Sequence, residues 1–150
     1  DYFIFLDSDV LVPQDYLKLV SLRLKENFLD CFGGPDAAQK SFTATQKAIN
    51  YAMTSWITTG GIRGKAANSK TFQPRSFNMG ISQAVYQELG GFSAMRYGED
   101  IDFSSRIRKT GYKVGLIPEA FVYHKRRSTF KAFFKKALNI SSAQMFYHLK

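Results

Sequence analysis

The first apolar segment of the chain, Tyr2–Leu6, is continuous and ends at the polar residues Asp-Ser-Asp at positions 7–9. A run of apolar residues without alternation is typical of a strand that is buried on both faces. Apolar residues then recur every three or four positions within 17–28, after Pro13, which suits the first turn of a helix. The chain is therefore expected to begin with a buried strand followed by an amphipathic helix.

The rest of the chain continues the alternation of strands and helices. Strands are predicted at 30–35, 76–82, 112–118 and 120–124. Helices are predicted at about 40–57, at 83–89, at about 99–110 and from Ser128 onward; Ser82 caps the second of these, Gly90 and Gly91 end it, and Gly111 ends the third. Residues 58–75 are predicted to form a long polar loop. The predicted fold class is α/β, with a mainly parallel sheet flanked by helices.

Composition and charge narrow the classes of function. The 150 residues suffice for one domain, and Cys31, the single cysteine, excludes a disulfide within the chain and is expected in the core. The net charge of +9 suits an anionic partner such as nucleic acid, a phospholipid surface or a phosphorylated small molecule. Cations are concentrated in 124–136, whereas 99–102 is acidic. No apolar run reaches the roughly 18 residues of a membrane span.

The first candidate site is the pair Asp7 and Asp9. Two positions apart, their side chains fall on the same side of a strand, at the end where open α/β sheets bind ligands. Mg²⁺ or Mn²⁺ would relieve the repulsion between the two carboxylates and prefers such oxygens. The alternative is a pair of capping aspartates in a loop.

A second acidic cluster, Glu99 and Asp100, begins a predicted helix, where the helix dipole favours negative charge. Ordinary capping chemistry would explain these acids equally well. Asp102 and Arg106 are four positions apart and are predicted to form a structural pair on one helix face.

The third candidate is His124, which ends a predicted strand and precedes Lys125, Arg126 and Arg127. This setting suits phosphate or a metal ion, since Arg can bind phosphate oxygens in a bidentate manner. The alternative is a purely structural histidine.

In chain order, a strand with Asp-x-Asp is followed by "FNMGISQAVYQELGGF", "GEDIDFSSRIRKTG" and "VYH". This succession resembles the family two glycosyltransferases of the GT-A type, from Asp1 to about Ser128. The resemblance implies a partial GT-A fold: residues 1–127 would form the acceptor-side half of the catalytic domain with its DXD strand, and 128–150 a basic amphipathic helix. The nucleotide-binding half is expected to lie outside this sequence.

The resemblance also implies roles for individual residues. Asp9 would ligate the metal directly, Asp7 would contact the ribose or the metal, and His124 would reach the metal or the diphosphate. Asp100 would be the catalytic base, and its neighbour Glu99 would orient the acceptor. The remaining matches would form the wall on the acceptor side: Asn78, Met79, Gly80, Gly91 and Phe92.

The chemistry of such a transfer agrees with the residues present. A divalent cation, Mn²⁺ or Mg²⁺, neutralises the charge on a departing nucleoside diphosphate, and Arg126 and Arg127 are expected to assist it. A carboxylate base takes the proton of the acceptor hydroxyl, and attack opposite the leaving group inverts the anomeric centre. The expected function is a metal-dependent, inverting glycosyltransferase of polysaccharide biosynthesis, with a nucleotide-sugar donor and a glycan or lipid-linked acceptor.

Two other classes stay open at this point: a nucleotidyltransferase of related fold, and a basic module that binds nucleic acid or an anionic membrane without catalysis. For the glycosyltransferase, we expect no nucleic acid partner and a cytoplasmic location. The helix at 128–150 either lies in peripheral contact with the inner face of the membrane or packs its apolar stripe on the sheet. The chain by itself is expected to be inactive and to self-associate through its first strand.

Overall fold

The computed structural model describes residues 1–54, 72–95, 98–124 and Thr129, except for the side chains of Met53, Thr54 and His124. Most of the predicted loop at 58–75 and nearly all of the predicted helix at 128–150 lie outside these residues. So do Arg126 and Arg127.

Seven strands and four helices follow one another in the described residues. Their bounds are β1 Tyr2–Leu6, β2 Val10–Leu11, α1 Tyr16–Glu26, β3 Cys31–Gly33, β4 Asp36–Ala37, α2 Ala44–Thr54, β5 Asn78–Ser82, α3 Gln83–Glu88, α4 Glu99–Lys109, β6 Val114–Leu116 and β7 Val122–His124. No helix within the described ranges is long and apolar enough to cross a membrane.

The strands form two mixed sheets. The larger has the order β1-β5-β3-β6, in which β5 is antiparallel to both neighbours and β3 is parallel to β6. The smaller has the order β2-β7-β4, with β2 antiparallel and β4 parallel to β7. The α/β class is confirmed, but a mainly parallel sheet is not. The reason is that β5 starts beside Leu6, where β1 ends, and therefore runs back in the opposite direction.

The larger sheet has one core cluster on each side. Toward α1 the buried residues are Tyr16, Val20, Phe32, Phe77, Ile117, Ala120 and Val122. Toward α3 and α4 they are Cys31, Met79, Ile81, Val85, Phe103 and Ile107. Adjacent residues of β3, Cys31 and Phe32, lie in opposite clusters because side chains alternate across a strand. The predicted core position of Cys31 is confirmed.

Within the described residues, β1 is only partly buried. Phe3 and Leu6 are each 40% exposed, although Ile4 and Phe5 pack against opposite core clusters. The reason is the position of β1: among the described strands it pairs only with β5 and forms one edge of the sheet.

The ends of α3 and α4 follow the predicted local signals. The Ser82 hydroxyl accepts a hydrogen bond from the Val85 amide at 3.4 Å, which caps α3. Gly90 and Gly91 follow α3 with φ of 72° and 69°, and Gly111 follows α4 with φ of 85°. These left-handed conformations cost glycine little and end a helix.

Candidate active site

One edge of the larger sheet collects the segments that carry the candidate residues. The strands β1, β3 and β6 run in the same direction and end at this edge, and β5 begins there. Hydrogen bonds connect the segments beyond the strands: the Gly34 amide donates to the Asn78 carbonyl at 3.3 Å, and the Ile117 amide donates to the Gly33 carbonyl at 3.0 Å. The carboxyl ends of the parallel strands therefore meet at one edge, which is where open α/β sheets generally bind ligands.

Asp7 and Asp9 lie in the exposed turn between β1 and β2. The Val10 amide donates to the Asp7 carbonyl at 3.3 Å and closes the turn. In the smaller sheet Val10 pairs with His124, so the backbone of the candidate histidine lies beside the residue that follows Asp9. The fold thus brings the end of β7 to the acidic turn.

Asp100 lies in the first turn of α4 and is more enclosed. Its Oδ1 accepts a hydrogen bond from the Ile101 amide at 2.8 Å and faces Nη1 of Arg75 at 3.5 Å. The side chains of Asp100 and Arg75 are 17% and 13% exposed. Glu99, the preceding residue, is half-buried at the same helix end.

The segment 72–75 lies along α4 through side chains on three successive turns of that helix. Asp100 pairs with Arg75, the Ser104 hydroxyl donates to the Pro74 carbonyl at 2.7 Å, and the guanidinium of Arg108 donates to the carbonyl of residue 72. Positions four apart lie on one helix face, so a single face of α4 holds the whole segment.

The two acidic clusters are linked through the turn at 75–78. The Asn78 amide donates to the Arg75 carbonyl at 3.0 Å, and the Asp7 amide donates to the Phe77 carbonyl at 3.4 Å. The same turn therefore contacts Asp7 through its backbone and Asp100 through a side chain.

Asn78, Met79 and Gly80, predicted on the acceptor side, are buried in β5. The side-chain Nδ2 of Asn78 donates to the Ala120 carbonyl at 2.6 Å, and its Oδ1 accepts from the Tyr16 hydroxyl at 2.6 Å. Met79 belongs to the core cluster toward α3 and α4. These internal contacts give the residues a structural role, while contact with an acceptor stays a prediction.

The other two acceptor-side residues, Gly91 and Phe92, lie after α3. Arg106 donates to the carbonyls of Leu89 at 2.7 Å and of Gly91 at 2.6 Å. Its Nε contacts Asp102 at 2.9 Å, which confirms the predicted structural pair. Phe92 packs edge-on against the rings of Phe5 and Phe103, with ring centroids 5.0 and 4.9 Å apart. The glycine turn is thereby fixed to α4.

Comparison with known proteins assigns the family. A family model described as "Glycosyl transferase family group 2" matches residues 2–139, which include both acidic clusters and His124. The chain belongs to this glycosyltransferase family. A search of curated proteins found no match.

The residues of this glycosyltransferase fit a divalent cation at the turn 7–9. Asp7 and Asp9 are exposed next to the end of β1 and carry the carboxylate oxygens that Mg²⁺ and Mn²⁺ prefer. Among the side chains that the structure describes, no group of three or more His, Cys, Asp and Glu is close enough to hold a metal. A site of protein ligands and substrate phosphates, typical of Mg²⁺, needs only one or two carboxylates.

Sequence reasoning missed two features of the site. The smaller sheet, which brings His124 to the acidic turn, rests on the strands β2 and β4, each only two residues long. The second missed feature is the contact of Arg75 with Asp100. A single cation after a proline carries no periodic signal, and its partner Asp100 is 25 residues away in the chain.

Proposed function

We propose that this glycosyltransferase moves a sugar from a nucleotide-diphospho-sugar donor to an acceptor hydroxyl with inversion of the anomeric carbon. Asp100 is the catalytic base, and a divalent cation binds at Asp7 and Asp9. The observation that supports this most is the linkage of the two acidic clusters through the turn at 75–78, which holds a candidate base and a candidate metal site at one sheet edge.

In the proposed reaction, Asp100 takes the proton of the acceptor hydroxyl as its oxygen bonds to the anomeric carbon. The bond from that carbon to the diphosphate oxygen breaks on the opposite side, and the nucleoside diphosphate leaves with the bonding electrons. One base suffices for this inversion, and no protein nucleophile is needed. Glu99, next to the base, is proposed to orient the acceptor.

The donor side consists of the acidic turn and the residues after β7. Asp9 is proposed as the direct metal ligand, with Asp7 on the metal or the ribose, and His124, Arg126 and Arg127 near the diphosphate. Mn²⁺ or Mg²⁺ bound there would supply Lewis-acid stabilisation of the leaving diphosphate.

The wider context also belongs to this proposal. We propose a GT-A type domain that acts in polysaccharide biosynthesis on a glycan or lipid-linked acceptor, at the cytoplasmic face of a membrane. The nucleotidyltransferase and the basic binding module are less well supported, because the matched family is one of glycosyltransferases.

The test compares two variants of the full-length protein, one expected to lose turnover and the other to lose metal affinity. Asp100→Asn should lower turnover of UDP-, GDP- or dTDP-sugars by a factor of about 10²–10⁴, the usual contribution of a general base. Its affinity for Mn²⁺ with UDP should not change, because the base contacts the acceptor. Asp9→Ala should instead lose that affinity, measured by calorimetry.

Equal Mn²⁺–UDP affinity in Asp9→Ala and the unsubstituted protein would refute the metal site. Near-normal turnover in Asp100→Asn would remove Asp100 from the mechanism and make Glu99 the next candidate.

A further inference from the structure

Arg75 is a largely enclosed cation whose only charged partner within the described residues is the proposed base. Its Nη1 lies 3.5 Å from Oδ1 of Asp100, and its side chain is 13% exposed. Its Nε is buried and has no hydrogen-bond partner among the described residues. Even partial enclosure of a guanidinium costs hydration, and a single ion pair at this length is weak compensation for stability alone. The position therefore calls for another explanation.

The hydrogen bonds to Asp100 involve one of its two carboxylate oxygens. Both hydrogen bonds that it accepts within the described residues, from Ile101 and from Arg75, reach Oδ1. The two donors hold Oδ1 and leave Oδ2 outside these two contacts. A base held in one orientation needs no reordering in the transition state.

We propose that Arg75 is a positioning residue for Asp100: it binds Oδ1 and directs Oδ2 toward the acceptor hydroxyl. This inference rests on the proposed function, in which Asp100 is the base. It assigns Arg75 no contact with the reacting atoms.

Docking of the segment 72–75 does not need this ion pair. The hydrogen bonds from Ser104 and Arg108 already hold the segment on α4, one and two helical turns beyond Asp100. The turn that begins at Arg75 also accepts a hydrogen bond from the Asp7 amide. Arg75 thus fixes the base relative to the acidic turn of the donor side.

The experiment measures kcat and the donor KM of the full-length protein with UDP-, GDP- and dTDP-sugars and Mn²⁺. We expect Arg75→Gln to lower kcat by about 10–100-fold, because a misplaced catalytic group costs this much, with KM unchanged. Arg75→Lys should recover part of the loss, since it keeps a cation near Oδ1. In the Asp100→Asn background, Arg75→Gln should cause no further loss, because the two residues act as one unit.

Ser104→Ala is the matched control. It removes a buried hydrogen bond between the same helix and the same segment and leaves Asp100 untouched. We expect a lower unfolding temperature with kcat unchanged. If Arg75→Gln does not fold, the comparison of Arg75→Lys with Ser104→Ala carries the test, and only the lysine variant should lose kcat.

Three results would overturn the inference while leaving the proposed function intact: a normal kcat in Arg75→Gln when Asp100→Asn is inactive, equal kcat losses in Arg75→Gln and Ser104→Ala, or a full additional loss in the double variant. Absence of metal-dependent turnover in the unsubstituted protein would overturn the proposed function and this inference together.

Discussion

At the scale of single residues, Asn78 shows how a polar side chain is used inside this fold. It is fully buried, and its amide group bridges α1, through the Tyr16 hydroxyl, and the carbonyl of Ala120. Buried amides are stable only when both ends are paired, as here. The sequence marked Asn78 as a candidate for substrate contact, because its partner Tyr16 is 62 positions away and no local pattern indicates the pairing.

Removing the Tyr16 hydroxyl should therefore destabilise the protein. We expect Tyr16→Phe to lower the free energy of unfolding by about 1–3 kcal/mol, because the fully buried Asn78 Oδ1 loses its donor. Tyr112→Phe is the control, since its hydroxyl donates to Glu88 at the exposed surface, and we expect a change below about 0.5 kcal/mol. Urea unfolding measures both, and equal losses would contradict the structural role of Asn78.

At the scale of helices and strands, the sequence predicted the features that neighbouring residues determine, such as helix ends. The cap Ser82, the glycines at 90–91 and Gly111 gave the ends of α3 and α4, since a cap or a left-handed residue acts within a few positions. The two-residue strands β2 and β4 were missed because their pairing depends on β7, far along the chain. The direction of β5 could not be predicted from the hydrophobic pattern either, because it depends on the edge at which the strand enters the sheet.

The pairing of β3 with β5 depends on the absence of a side chain at Gly80. Phe32 pairs with Gly80 in the sheet, and a Cβ at Gly80 would lie 2.1 Å from the Phe32 ring. We expect Gly80→Ala to lower the free energy of unfolding by about 1–3 kcal/mol through overpacking. At Gly115 a Cβ would meet the side-chain end of Leu29 at 2.9 Å, which can rotate away. A loss in Gly115→Ala as large as in Gly80→Ala, by thermal unfolding, would contradict this account.

At the scale of the whole molecule, the sequence predicted two acidic clusters, and the fold links them at one edge of the sheet. The connection was not predictable, because it passes through Arg75, which belongs to no motif, and through the backbone carbonyl of Phe77, whose hydrogen bond no sequence pattern indicates. Self-association of the 150-residue chain stays a prediction. The exposure of Phe3 and Leu6 at the edge strand β1 is the feature that favours it.

The whole fold should lose stability in alkaline solution through two buried groups. Burial raises the pKa of the Cys31 thiol from 9.0 to about 12 and the pKa of the Tyr16 hydroxyl from 10.0 to about 12. Both groups are neutral when protonated, so the unfolded chain loses these protons at lower pH than the folded protein. Their contribution to stability is therefore complete below about pH 9 and is lost as the pH rises toward 12.

We expect the free energy of unfolding to fall between pH 9 and 11 by on the order of 1 kcal/mol per pH unit. Urea unfolding at pH 7, 9, 10 and 11 measures the slope. In Cys31→Ala the decline should begin nearer pH 10, because the remaining hydroxyls with a raised pKa are tyrosines, whose pKa of 10.0 in the unfolded chain lies above that of the thiol. A constant free energy of unfolding up to pH 11 would show that neither group is held neutral by the fold. An identical decline in Cys31→Ala would assign the effect to other groups, since the thiol would then contribute nothing to the pH dependence.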